Sequence, residues 1–336
     1  MLYIHHPASL RHDPQALSPD HPDHPRRLEA IEAAVRTAGL ELTRRAAPAA
    51  TEAELALVHS DRHIAFIRRL CESGGGQIDD DTFVGPASFE AALRAAGGAC
   101  EMVRALTSGQ ERQGFCALRP AGHHAERDCA MGFCLFNNIA VAAELAIREH
   151  SVEKVMIIDW DVHHGNGTAE IFRHRPDVLV TSIHQSGLFP GTGALADAGS
   201  GDGRGYTVNL PVPPGSGEEI WLSLVEYLLV PIGRDYRPEL LLISAGFDAH
   251  EADPLADCRL DAGAFALIAC HVRDLARELG VPLGAVLEGG YAPEALGESV
   301  AVTLSALDGA GEAESAAPDQ IVTPRAAARL GQRWAL

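Results

Sequence analysis

Apolar positions along this chain take two forms, and the two alternate. One form is a short apolar run that stops abruptly at polar or glycine residues. Five stretches share it: GFCALRPAGHHA (114–125), VMIIDWDVHHGNG (155–167), VLVTSIH (178–184), LLLISAGFDAH (240–250) and LGAVLEGGY (283–291). Short continuous runs of this kind predict strands buried on both faces. The other form is apolar residues at helical spacing. Leu28, Ile31, Ala34, Val35 and Ala38 mark a helix from Arg26 to a stop at Gly39. Thr51-Glu52-Ala53-Glu54 is an N-terminal helix signature that leads through LALVHS into a second helix over DRHIAFIRRL. Phe89, Ala92, Leu93, Ala96, Ala99, Cys100 and Val103 predict a helix over Ser88–Leu106, and its small residues suit close packing on another backbone. Further helical patterns cover Asn137–Glu149, Glu218–Leu229 and Ala262–Leu279, with a short last helix after the loop ALDGAGEAESAAPDQ.

Strands alternating with helices predict an α/β class: one three-layer α/β/α domain around a mainly parallel sheet. A length of 336 residues fits one such domain spanning 1–336. In these sheets the ligand site lies beyond the carboxyl ends of the strands, and the unusual polar residues all fall there. Two stretches read as loops. Met1 to about Asp23 is dense in His and Pro, which breaks regular ligand spacing and favours extended loop. Residues 71–86, CESGGGQIDDDTFVGP, read as a solvated connection or a lid.

Composition narrows the function. A formal net charge of −19 leaves no basic excess to neutralise phosphates, so nucleic acid is not expected as a direct ligand, while cationic partners are mildly favoured. No run of 18 apolar residues exists, and MLYIHHPASLRHD has no basic segment followed by an apolar one. Seven cysteines without a CxxC pair point to reduced thiols and a cytoplasmic protein, and argue against a thiolate zinc site. The sequence is compatible with a homo-oligomer.

Chemistry concentrates in IDWDVHHGNGT. If the strand runs on, Asp161 and His163 point to the same side and can meet one small target. A carboxylate beside an imidazole suits Zn²⁺ or another borderline divalent ion. Asp248, at the end of LLLIS, is the simplest third ligand; the competing reading makes it a helix N-cap. An Asp₂His set leaves a position open, as catalytic zinc requires. His123-His124 follow another strand-like run and suit proton transfer, with Asp159 and Asn166 as acceptors that fix a tautomer. Tyr291, held out on Gly289-Gly290, can donate to a developing oxyanion or merely pack.

RPAGHHA, GFCLFNNIA, IDWDVHHGNGT, HQSGLFPGTG, SAGFDAH and LEGGY, in this order, resemble the histone deacetylase family in the broad sense, which includes acetylpolyamine amidohydrolases and acetoin-utilisation proteins. The opening HP…LRHD…HPDHPRRLEAI matches too. LEGGY, and Asn166 where class I members would have an aspartate, resemble class II members. The resemblance implies Zn²⁺ on Asp161, His163 and Asp248, with His124 as general base and acid. It implies an electrostatic His123 partnered by Asp159, Asn166 orienting His124, and Tyr291 donating to the carbonyl oxygen. It also implies a structural K⁺ or Na⁺ on Asp159, Ser182 and the main-chain oxygens of Asp161, His163 and His184. Gly132, Phe133, Phe189, Leu255, Gly289 and Asp81 match positions along a substrate channel. The expected activity is zinc-dependent removal of an acetyl or other short acyl group from a lysine-like amine, with an acetylpolyamine as the second substrate class. A binuclear manganese ureohydrolase would want an aspartate where Gly165 stands. A non-catalytic scaffold would have lost a ligand or base, and none is lost.

Overall fold

The computed structural model describes residues 1–336. Eight strands form one sheet: β1 (Leu2–His5), β2 (Thr43–Ala46), β5 (Gln113–Cys116), β6 (Val155–Asp159), β7 (Val178–Gln185), β8 (Thr207–Val212), β9 (Leu240–Ala245) and β10 (Leu283–Leu287). Their order is β2-β1-β5-β10-β9-β6-β7-β8, and the neighbours pair in parallel. A second, two-stranded antiparallel sheet joins β3 (Gly76–Gln77) to β4 (Phe83–Val84).

The central strands are buried on both faces because their apolar runs serve two helical layers at once. In β6, Met156 and Ile158 join the core on one face while Val155 and Ile157 join the core on the other. β9 divides the same way, Leu241 and Ile243 against Leu240 and Leu242. The first face carries α1 (Arg26–Thr37), α7 (Glu218–Leu224), α8 (Val230–Tyr236), α9 (Ala262–Leu279), α10 (Pro293–Asp308) and α11 (Val322–Leu330). The second carries α2 (Glu52–Leu55), α3 (Asp61–Glu72), α4 (Ser88–Thr107), α5 (Asn138–Glu149) and, beside them, the short α6 (Asn166–Ile171). This is the expected three-layer α/β/α architecture.

Several elements depart from the sequence expectation. The His/Pro-rich opening contains β1, whose residues Leu2, Tyr3 and Ile4 lie inside the sheet, followed by short 3₁₀ turns at Pro7–Arg11 and Pro14–Ala16. The 71–86 stretch is not simply loop: α3 runs through Glu72, and the β3–β4 hairpin follows. The Glu218 helix continues past Leu229 to Tyr236 through a π turn at Val225–Leu229. Pro231 follows that turn; it has no N–H to donate to the previous turn, and a widened turn accommodates this.

Candidate active site

The five apolar runs occupy contiguous places in the sheet, β5-β10-β9-β6-β7, so their polar ends meet at one edge. β5 delivers His123 and His124, β6 delivers Asp161 and His163, β9 delivers Asp248 and β10 delivers Tyr291. Parallel pairing puts every carboxyl end on the same side.

Strand β6 ends at Asp159, so Asp161 and His163 do not lie on an extended backbone as expected. They sit in bends, where the His163 N–H donates to Asp161 Oδ1 at 2.9 Å. The convergence survives because Asp248 comes from the side: His163 Nδ1 lies 3.2 Å from Asp161 Oδ1 and 3.0 Å from Asp248 Oδ2. Asp248 caps no helix, since α9 is capped by Asp261. Ligand atoms of Asp161, His163 and Asp248 all lie within 4.8 Å of one another, and all three residues are buried. Burial opposes charge on His163, yet the two carboxylates outweigh it and lift the imidazole to about 10. Burial and the Asp161 charge push Asp248 up. Two buried carboxylates this close need a positive charge between them: protonated His163 supplies it, and a dication held by these three donors would supply it in the proton's place.

Backbone holds the carboxylates from behind. The Gly289 N–H donates to Asp161 Oδ2 at 2.8 Å, and the Val162 N–H donates to Asp248 Oδ1 at 2.9 Å. A Cβ on Gly289 would meet Asp248 Oδ2 at 2.1 Å, so only glycine lets the turn come this close. Gly289 therefore lies behind the carboxylates rather than on the channel wall, where the sequence reading put it.

The two histidines are set apart by their partners. His123 Nδ1 lies 3.0 Å from Asp159 Oδ2. Burial opposes its charge, but the Asp161 and Asp159 carboxylates outweigh burial and raise it well above the ordinary histidine value. His124 Nδ1 lies 2.8 Å from Asn166 Oδ1. The Asn166 amide nitrogen donates to Glu126 Oε1 at 2.8 Å, which fixes Oδ1 as the atom facing the ring. His124 must then carry its proton on Nδ1 and leave the Nε2 lone pair free. Burial, with His123 and His163 alongside, holds His124 well below the ordinary value, so it is neutral. A cationic and a neutral imidazole therefore stand side by side.

These groups end a cavity of about 440 Å³, which is lined by His124, His163, Gly132, Phe133, Leu188, Phe189, Leu255 and Tyr291, with Asp20, Asp80 and Asp81 among its other residues. Phe189 meets His124 edge-on at 5.1 Å, and Phe133 meets Tyr291 edge-on at 5.6 Å. Gly132 has φ +55°, and a Cβ there would meet the His124 ring at 2.5 Å and Phe189 at 2.8 Å. Burial and the Asp248 and Asp161 charges raise the Tyr291 phenol well above its usual range despite the Arg27 cation, so it remains a donor. Ser182 sits opposite Asp159 in the β6–β7 register, with its hydroxyl 2.8 Å from His184 Nδ1.

A histone deacetylase-like order of motifs now has a geometry to match, and sequence comparison decides the family. A histone deacetylase domain matches residues 21–307. The chain belongs to the histone deacetylase family. Membership makes it a hydrolase of the deacetylase and amidohydrolase kind, acting on acyl amides. It is 41% identical over 273 residues to the histone deacetylase-like amidohydrolase of Pseudomonas aeruginosa, covering 80% of this chain and 71% of that protein. A probable deacetylase of Methanothermobacter thermautotrophicus is 41% identical, over 79% of each chain. The polyamine deacetylase HDAC10 of Homo sapiens is 37% identical over 85% of this chain and 44% of that protein. Among solved structures, the HDA15 HD domain superposes with a TM-score of 0.90 at 32% identity, covering 99% of this chain and 95% of that one.

Sequence reasoning passed over a buried charge network beneath the site. Arg27 donates to Asp23 Oδ1 at 2.7 Å and to the carbonyl oxygens of Gly290 and Glu288 at 2.5 and 2.6 Å. Arg119 donates to the same Asp23 oxygen at 2.6 Å. Glu288 Oε2 accepts the N–H groups of Gly122 and His123 at 2.7 and 3.2 Å, anchoring the histidine pair. Burial pushes its carboxyl up to about 7. The one signal in sequence was a charged residue ending an apolar run, LGAVLE.

Proposed function

We propose that this chain is a zinc-dependent amidohydrolase that removes acetyl or another short acyl group from a lysine-like amine. The observation that carries the reading is the neutral His124, with its free Nε2, beside the Asp161–His163–Asp248 cluster at the end of one cavity. Asp161, His163 and Asp248 would hold the ion. When bound, Zn²⁺ supplies a Lewis acid that polarises the amide carbonyl and acidifies water toward a pKa of about 7. His124 accepts a proton on Nε2 from the attacking water and returns it to the leaving amine nitrogen, while Asn166 holds Nδ1–H in place. Cationic His123, kept so by Asp159, adds positive charge beside the reacting atoms. Tyr291 donates to the carbonyl oxygen as negative charge develops. The products are a free amine and a short carboxylate.

A structural K⁺ or Na⁺ on Asp159, Ser182 and the main-chain oxygens of Asp161, His163 and His184 belongs to the same reading, supported by the pairing of Asp159 with Ser182 across β6 and β7. Exchanging K⁺ for a bulky organic cation should lower the melting temperature.

The test is hydrolysis of a fluorogenic acetyl-lysine amide, with metal content measured in parallel. Activity that tracks one zinc per chain is expected. A binuclear manganese content, or full zinc with no amide hydrolysed, would reject the reading. The acetylpolyamine reading has its own support in Asp20, Asp80 and Asp81, carboxylates around a cavity that no Lys or Arg lines. Against it, Leu255 places an apolar wall where a second buried ammonium would need a carboxylate. The lysine-like substrate is therefore preferred, and a tenfold higher kcat/KM for N-acetylputrescine or N8-acetylspermidine would reverse that preference.

A further inference from the structure

Tyr291 and Leu255 come from different loops, after β10 and after β9, yet both line the cavity. What sets their separation is a third side chain. Asp253 Oδ2 accepts the Tyr291 N–H at 2.6 Å, and Asp253 Oδ1 accepts the Leu255 N–H at 3.0 Å. The residue is 6% exposed, and it does not line the cavity itself. One rigid, planar carboxylate thus fixes two backbone amides, one from each loop.

The rest of the turn is held by other groups: the Gly289 N–H donates to Asp161 Oδ2 and the Gly289 carbonyl accepts the Phe247 N–H. Arg27 lies 4.7 Å from the centre of the Tyr291 ring and donates to the carbonyl oxygens of Glu288 and Gly290, three residues and one residue before Tyr291. Those contacts hold the turn at the carbonyl side and one ring face. Gly290 has φ +119°, and no side chain of Gly289 or Gly290 stiffens the turn. The amide of Tyr291 itself is engaged by Asp253 alone. An oxyanion donor must sit within a few tenths of an ångström of its place to act, so an anchor on its own amide controls how well it acts.

We propose that Asp253 is a positioning residue that holds Tyr291, and with it Leu255, in the geometry the reaction needs. This rests on the reading of Tyr291 as donor to the substrate carbonyl. Asp253 touches no reacting atom. Two acceptor oxygens are required, because each amide has its own. Asn at this place has one oxygen and one NH₂, and the NH₂ would oppose whichever N–H it faced.

The test is a double-mutant cycle on the zinc-loaded enzyme with an acetyl-lysine peptide. Asp253→Asn is expected to lower kcat at least about tenfold, to change KM less than about threefold, and to keep full zinc. In a Tyr291→Phe background the same substitution is expected to change kcat less than about twofold, since the group it positions is already gone. Amide exchange should rise in peptides covering 288–293 and 253–256, and not in those covering Asp161 or His163. A tenfold loss in both backgrounds, or an unaltered kcat for Asp253→Asn alone, overturns the role of Asp253. An unaltered kcat for Tyr291→Phe alone overturns instead the reading of Tyr291. Should the Asn protein not fold, Asp253→Glu displaces both oxygens by one methylene and serves the same cycle with the same expectations.

Discussion

At the scale of single residues, the site depends on groups whose neighbours decide their chemistry. Asp161→Ala or Asp248→Ala should lose zinc and activity together, because removing one of three protein ligands weakens affinity beyond repair by the remaining two. Stoichiometric zinc with a near-normal rate in either variant would remove that residue from the ligand set. Tyr291→Phe should keep zinc and lower kcat at least about a hundredfold, the scale for one oxyanion donor; metal analysis alongside the rate separates this from loss of the ion. The groups proposed to touch substrate or ion stand out in the sequence because such chemistry restricts them to His, Asp and Tyr at strand ends, and the fold brings them together. Their supports do not stand out. Arg27, Asp23, Glu288 and Asp253 are charged residues that sequence alone places at the surface, and only the fold shows each one buried with its partners.

Elements repeat that division. The five strands that carry the site announced themselves as apolar runs, since both of their faces meet helices. β2 did not: its TRRA sequence is largely exposed at the sheet edge, where burial asks nothing of it. β8, the other edge, was passed over too, its run TVNLPV being broken by Asn209 and Pro211. β1 was hidden because its three apolar residues are followed at once by HHP. Helix α5 shows how a junction is made. Asn137 caps it by accepting the Ala140 N–H, and the Asn137 N–H in turn donates to His59 Nε2 at 2.8 Å. The His59 Nδ1–H then donates to the Glu126 carbonyl at 3.0 Å, so this histidine must be neutral. Burial, helped by the His63 charge, pulls it down to about 3. Unfolded histidine titrates near 6.5. The stability His59 contributes is thus complete above about pH 6.5 and drains away as pH falls toward 3, where the folded form at last takes the proton. Melting temperature should fall between pH 7 and pH 5, and His59→Gln should flatten that slope; an identical slope in the variant would assign the acid sensitivity elsewhere.

Taken whole, the molecule is a sheet that places five loops around one cavity, and its selectivity is a property of how those loops face one another. Leu255→Glu should move the ratio of kcat/KM toward N8-acetylspermidine and away from an acetyl-lysine peptide, by supplying a carboxylate where the wall is now apolar. An unchanged ratio would place selectivity in the Asp20, Asp80 and Asp81 rim instead. No helix is long and apolar enough to cross a membrane. The architecture was readable from alternation alone, whereas the joining of the first and last segments was not. Arg27 reaches the carbonyls of Glu288 and Gly290, across 261 and 263 positions of chain. A ribosome makes the amino end first, so for most of synthesis Arg27 and Asp23 wait without the turn they will clasp. Contacts this distant in sequence slow folding, because a long loop must close before they form. A chain that stops before Glu288 lacks Tyr291 and the turn that carries it, so Arg27 has no carbonyls there to engage.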